Sequence, residues 1–234
     1  SNPAGVKVTY DHLDPSMVTA TDIIGGVDVS TGKNTGLELI NEVYPRFRTL
    51  VGLVVVPKFS GDVTVAAVMK AKADTINSTF KAITLHDVPT GTVKKYTDVA
   101  AWKNQNNLTD PSQVVLWPML SLGGVKYHMS TQAAGVIAQT DSDFNDIPYA
   151  SPSNHNVQAD STVLADGTEV FLGVDQAAYL NGEGIVTAIN WIGGWKLWGN
   201  NTAAYPANTD VKDRFIPVKR MFYWIGNTLV QTYW

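Results

Sequence analysis

The chain alternates between short apolar runs and longer segments whose apolar residues recur at helical spacing. A nearly continuous, valine-rich apolar run covers residues 50–59 and predicts a strand buried on both faces. In the segment that follows, apolar residues recur at steps of three and four, which places them on one face of a helix. These residues are Val65, Met69, Ala73, Ile76 and Phe80.

Strands and helices continue to alternate along the middle of the chain. An apolar strand is predicted at 82–86, a polar helix around 98–103 and a strand at 114–117. Strand, helix, strand, helix, strand is the order of right-handed parallel crossovers. The middle of the chain therefore predicts a parallel sheet.

The second half adds shorter elements and a final helix. The pattern predicts a strand at 125–129, a helix at 130–139, a hairpin at 162–172, a short helix at 175–180 and a strand at 185–191. A last helix starts near Pro217, with five apolar residues on one side: Val218, Met221, Phe222, Ile225 and Leu229. The fold class is therefore α/β, a central, mostly parallel sheet flanked by helices, with added β-hairpin elements.

The two ends of the chain differ from its middle. Residues 1–35 are punctuated by turn signals such as Asp14-Pro15 and predict an extended N-terminal arm. No linker divides the sequence, so we expect one domain over residues 1–234. The apolar helix runs to Trp234 with no Gly, Asn or Pro to end it, which suggests a piece of a longer protein.

Composition narrows the classes of function. The chain is 44% hydrophobic and 16% charged, as globular proteins are, and its net charge is −4 with scattered Lys and Arg. A nucleic-acid binder needs a cationic footprint, so we expect no such partner. Without cysteine there are no disulfides or thiolate metal sites. The longest apolar stretch is much shorter than the roughly 18 residues of a membrane span, so we expect no membrane insertion.

Two loops have superficial similarity to ligand sites. Residues 26–34 resemble a phosphate loop, but five residues instead of four separate Gly26 from Gly32 and Lys33 is followed by Asn34, so a surface turn is predicted. Asp141, Asp143 and Asn145 match the start of a calcium loop. The required glycine and closing glutamate are missing there, so we expect no calcium.

The histidines provide one enzymatic alternative. His12, His86, His128 and His155 have no zinc-site spacing. Ser130 lacks a nucleophile elbow and is predicted to cap the helix that follows it. His86, followed by Asp87 at the end of a strand, is the best catalytic candidate of an α/β hydrolase-like enzyme, because such enzymes place sites at carboxyl ends of strands.

A second alternative is a carbohydrate-binding module. Trp191, Trp195 and Trp198, with Tyr205, would have to form a solvent-facing stacking platform. Tryptophans set among small apolar residues are more often packing or interface anchors. Exposure of the three indoles separates these interpretations.

Several segments together resemble the contractile tail sheath proteins of myovirus-type phages and prophages. They lie at 36–43, 148–154, 164–169, 175–182, 184–190, 193–203, 205–210, 216–222 and 227–234. The ordered set covers the chain from about residue 20 to its end, and 184–203 is its most specific part. The resemblance places this chain at the α/β core, without the C-terminal portion of the family.

The resemblance implies a structural subunit rather than an enzyme, with no cofactor. Its expected partners are other copies of the subunit, in hexameric rings and a helical stack, together with a tail tube protein and a baseplate. The expected location is a virion tail, assembled in the bacterial host cytoplasm, and the expected action is a contraction that drives the tube through an envelope. Five residues are predicted as core or interface anchors: Trp191, Trp195, Trp198, Arg214 and Arg220.

Overall fold

The computed structural model describes residues 10–12 and 14–233. The first part of the predicted arm, residues 1–9, and the predicted helix end at Trp234 lie outside the described residues, as does residue 13. No described helix combines the length and the apolar character that crossing a membrane requires.

The described part of the N-terminal segment is folded, which differs from the extended arm predicted for residues 1–35. Its elements are a 3-10 helix (Pro15–Met17), α1 (Ala20–Ile24), β1 (Gly26–Val27), β2 (Asn34–Thr35), a second 3-10 helix (Gly36–Leu39) and α2 (Ile40–Phe47). Thr19 and Asp22 form a capping box that starts α1. Ile23 and Ile24 pack against the buried cluster around Met69. Burial of these apolar residues therefore favours a docked segment over an extended one.

The remaining elements follow the predicted alternation. In chain order they are β3 (Leu53–Val55), α3 (Val63–Asp74), β4 (Ile83–Asp87), α4 (Tyr96–Gln105), β5 (Gln113–Leu116), β6 (Met119–Leu122), β7 (Val125–Tyr127), α5 (Met129–Asp143), β8 (Ser161–Val163), α6 (Val174–Gly182), β9 (Ile185–Trp191), β10 (Gly194–Trp198), α7 (Val211–Arg214) and α8 (Ile216–Tyr233).

The main sheet has five strands in the order β10-β9-β5-β4-β3. The pairs β3–β4, β4–β5 and β5–β9 are parallel, and β10 runs antiparallel to β9. A second, three-stranded antiparallel sheet has the order β7-β6-β8. Beyond β8 the chain turns at Gly167 and returns through a bridge between Val163 and Glu169, as the predicted hairpin requires. The predicted fold class is confirmed.

Helices cover both faces of the main sheet. Along β5, Val114 and Leu116 belong to the buried cluster under α5, whereas Val115 belongs to the cluster under α4 and α6. This alternation follows from the two-residue period of a strand. The clusters explain why the parallel strands are apolar on both faces.

Two predicted elements are shorter in the structure. Only Leu53–Val55 of the run 50–59 pairs as a strand, because the Val56 carbonyl accepts from the amides of Phe59 and Ser60 in a tight turn. The helix α3 ends at Asp74, so Ile76 and Phe80 lie beyond it. Both remain buried, facing each other across an isolated bridge.

Candidate functional site

The carboxyl end of β4 is where a ligand site is expected in an α/β fold. Asp87 ends this strand and is buried. Its carboxylate accepts from the Ser60 hydroxyl at 3.0 Å, the Ser130 amide at 2.8 Å and the Ser130 hydroxyl at 2.5 Å. Asp87 therefore joins β4, the turn before α3 and the start of α5.

These contacts correct the predicted role of Ser130. The helix α5 begins at Met129, two residues before the predicted start at Thr131, and its N-cap residue is His128, whose side chain makes no capping bond. Ser130 lies inside the first turn rather than before it. Asp87 supplies the acceptor that a local cap would provide, so the helix start is capped from a neighbouring strand.

Asp87, His128 and Ser130 do not form a catalytic relay. The His128 Nδ1 lies 3.8 Å from the Asp87 carboxylate, and the Ser130 hydroxyl donates to that carboxylate directly instead of to a histidine. Ser130 is fully buried, so no substrate reaches its oxygen. A nucleophilic serine needs a histidine base and an exposed oxygen.

The enzymatic candidate His86 is also enclosed. It is fully buried in the sheet, with its Nε2 2.7 Å from the Thr84 hydroxyl. Burial lowers its pKa from 6.5 to about 4, which keeps the ring neutral. An open cavity of about 400 Å³ beside Asp87 is lined by His128 and not by His86. Among the described residues, His86 is thus closed off from the cavity that Asp87 lines.

The two loops with ligand-like sequences have structural roles. Residues 26–34 form the β1–β2 hairpin and its turn, as predicted for a surface turn. Asp141 forms a bidentate pair with Arg220, so its carboxylate is already used. Within residues 10–12 and 14–233, no group of three or more His, Asp or Glu side chains could hold a metal ion.

Lys103 is a buried lysine, a feature often found at functional sites, and the sequence pattern did not identify it. Its side chain is only 1% exposed, and its ammonium group donates to the carbonyls of Glu183 at 2.6 Å, Ala203 at 3.0 Å and Tyr205 at 2.9 Å. Burial lowers its pKa to about 8, and the charge of Glu183 partly opposes this. Lys103 thus fastens the loop after β10 to the turn before β9.

The three tryptophans do not form one platform. Trp195 and Trp198 are three residues apart on β10, so their side chains leave opposite faces of the sheet. Trp195 is partly buried against the cluster under α5. Trp191, at the end of β9 opposite Gly194, is 50% exposed. A coplanar, solvent-facing set of rings is therefore excluded for these three residues.

The two arginines predicted as anchors make contacts inside this chain. The Arg214 guanidinium lies 4.1 Å from the centre of the Tyr205 ring, and its Nε donates to the Asn201 amide oxygen at 3.0 Å. Arg220, 7% exposed, joins α8 to the end of α5 through Asp141. Their assignment to interfaces between subunits stays a prediction, as does that of the three tryptophans.

The outer side of α8 is the largest run of exposed apolar side chains on one helix. Phe222 is 55% exposed, Ile225 39%, Leu229 53% and Tyr233 82%. These residues are separated by three, four and four positions and so share one side of the helix. We call these four residues the α8 stripe. The sequence pattern placed Phe222, Ile225 and Leu229 on one side of the helix, but it did not include Tyr233 and did not predict that this side is exposed.

One known phage protein is similar to this chain in sequence, and several solved structures are similar to it in fold. No protein-family model matches the chain. The tail sheath protein of Burkholderia phage BcepMu is 27% identical over 224 residues, which cover 88% of this chain and 44% of that protein.

Among solved structures, one similar chain comes from the contracted sheath complex of the extracellular contractile injection system PVC. It has a TM-score of 0.60 and 19% identity, over 84% of this chain and 51% of its own length. Another, from the baseplate of the anti-feeding prophage, has a TM-score of 0.58 and 18% identity, over 96% of this chain and 59% of its own length.

The chain thus spans about half the length of the proteins that it matches. In sequence the chain is similar to a phage tail sheath protein, and in fold it is similar to chains of contractile injection systems.

Proposed function

We propose that this chain forms the α/β core of a sheath subunit that polymerises around a tail tube. In this role, copies stack as hexameric rings in a helical sleeve, and shortening of the sleeve drives the tube through a bacterial envelope. The observation that carries the proposal is the sequence similarity to a phage tail sheath protein across 88% of the chain.

The physical character of the molecule supports the proposal. A sleeve that contracts without nucleotide must store its energy in interfaces that have two stable arrangements. Such a subunit needs a rigid body and adhesive surfaces. The buried networks around Asp87 and Lys103 supply rigidity, and the exposed apolar side chains supply adhesive surface. Partners beyond other copies, namely the tube and the baseplate, belong to the same proposal.

Electron microscopy of a chimera tests the proposed function. This chain replaces the matching part of the BcepMu tail sheath protein, and the purified chimera is imaged by negative stain over a range of salt concentrations. We expect striated tubes of uniform diameter from the chimera and dispersed particles from the chain alone. A soluble chimera that forms no tubes under any of these conditions contradicts the proposal.

A further inference from the structure

The final helix α8 carries apolar side chains on two of its sides. On its inner side, Ile216 and Tyr223 pack in the cluster under α5, and Val230 packs against the buried cluster around Met69. On its outer side lies the α8 stripe. A surface helix of a globular protein normally has one apolar side, which packs on the core. The described residues cover only the inner side.

The outer side also lacks charge. No Asp, Glu, Lys or Arg occurs from Met221 to Tyr233. Beside Phe222 and Ile225, an apolar groove of about 250 Å³ is also lined by Tyr149, Pro217 and Val218. An exposed helix face normally carries charged side chains, which keep it soluble. The four residues of the α8 stripe therefore have the composition of a core layer.

We propose that the α8 stripe is covered, within one sheath subunit, by an uncharged apolar segment of the polypeptide that this chain does not span. The proposal rests on the proposed function. The matched sheath proteins carry about as much polypeptide again as the part this chain matches. The covering segment must be uncharged over the stripe, because a charge placed there would be buried without a partner.

A second copy of the chain fits the stripe less well. The 18 residues of α8 extend about 27 Å at about 1.5 Å per residue, and a contact strip roughly 10 Å wide buries roughly 300 Å² on each partner. A specific interface between two proteins buries about 800 Å² on each side. A segment of the same polypeptide needs no such area, because the covalent connection sets a high effective concentration.

Cysteine labelling tests the proposal, because the chain contains no native cysteine. Phe222→Cys and Leu229→Cys report on the stripe, and Val29→Cys, on the fully exposed β1–β2 turn, is the control. Each variant is made in the 234-residue chain and in the chimera with the rest of the BcepMu tail sheath protein. Maleimide labelling rates are measured on isolated monomers.

We expect the two stripe thiols to label at least about tenfold more slowly in the chimera, since a covered thiol reacts only after local opening. The control thiol should label equally fast in both proteins. Equal rates for the stripe thiols would overturn the proposal. So would protection that arises in the 234-residue chain alone as its concentration is raised, because a second copy would then be the cover.

If the chimera yields no soluble monomer, the remaining portion of the BcepMu protein is added as a separate polypeptide. Slower labelling of the stripe thiols alone then supports the proposal, and unchanged rates overturn it. Protection in monomers is independent of tube formation. Monomers whose stripe thiols are protected but that never form tubes would contradict the proposed function and support this inference. Tubes built from monomers whose stripe thiols react fast would support the proposed function and overturn this inference.

Discussion

The carboxyl end of β4 and the outer side of α8 differ in whether their side chains find partners within the described part of the chain. Around Asp87, donors from Ser60 and Ser130 and one carboxylate complete each other within a buried network. Along the α8 stripe, four large apolar side chains remain 39–82% exposed. The first region has the residue types of a catalytic site, and the second has none of them.

The difference shows which region is available to other molecules. A carboxylate that accepts three hydrogen bonds inside the protein orders the fold and has little capacity left for a substrate. Exposed apolar area, in contrast, gains free energy only when something covers it. A subunit built for assembly is expected to combine a closed interior with such uncovered surfaces.

The largest expected effect comes from breaking the Asp87 network. Asp87→Ala leaves the Ser130 amide and two hydroxyls without their acceptor, and buried unsatisfied groups cost about 1–3 kcal/mol each. We expect the free energy of unfolding, measured with urea, to fall by about 4 kcal/mol. Asp143→Asn, at an exposed position on α5, is the control and should change it little. A loss below about 1 kcal/mol would show that the network does not order this region.

The Lys103 contacts should rank next. Lys103→Met keeps the length of the side chain but removes the donor shared by three carbonyls. We expect a loss of about 3 kcal/mol in the free energy of unfolding, since the carbonyls become unsatisfied while the cost of burying the charge disappears. Lys212→Met, at an exposed position, is the matched control. If the two variants are equally stable, the ammonium group does not hold the loop after β10.

The alternation of strands and helices could be predicted because apolar periodicity depends only on local sequence. The start of α5 could not be predicted, because its cap comes from Asp87, a residue that is distant in sequence. Lys103 was assigned to a polar helix, since nothing local shows that three carbonyls surround it. The strand β10 was missed because its tryptophans suggested a different role. For the start of α5 and for Lys103 the deciding contacts lie between segments far apart in the chain, whereas β10 pairs with its immediate neighbour β9.

The same limit applies to α8. Spacing grouped Phe222, Ile225 and Leu229 on one side of the helix, which the structure confirms. A second apolar side, including Tyr223 and Val230, packs inward. When both sides of a helix are apolar, periodicity alone does not determine which one faces the core.

Acid should weaken the fold through His86. Its pKa is about 4 in the folded protein and near 6.5 when unfolded, so below pH 6.5 the unfolded chain binds a proton that the folded chain does not. This contribution to stability is therefore complete above pH 6.5 and is lost as the pH falls towards 4.

Between about pH 7.5 and about pH 5, we expect the free energy of unfolding to fall by about 2 kcal/mol because of His86. Urea unfolding at both pH values checks this. His86→Asn should remove most of the pH dependence, whereas the control His128→Asn, at a partly exposed position, should keep it. An unchanged dependence in His86→Asn would assign the effect to other groups.

The smallest change in the free energy of unfolding is expected for a substitution in the α8 stripe. Comparison with a substitution on the inner side of α8 distinguishes the two sides of this helix. Phe222→Gln should change the free energy of unfolding of this chain by less than about 0.5 kcal/mol, because the side chain is already 55% exposed. Tyr223→Gln, the next residue on the same helix, should cost about 2 kcal/mol because its ring packs in the cluster under α5. Equal losses in urea unfolding would mean that the outer side of α8 is already covered in this chain, which would remove the need for a covering segment.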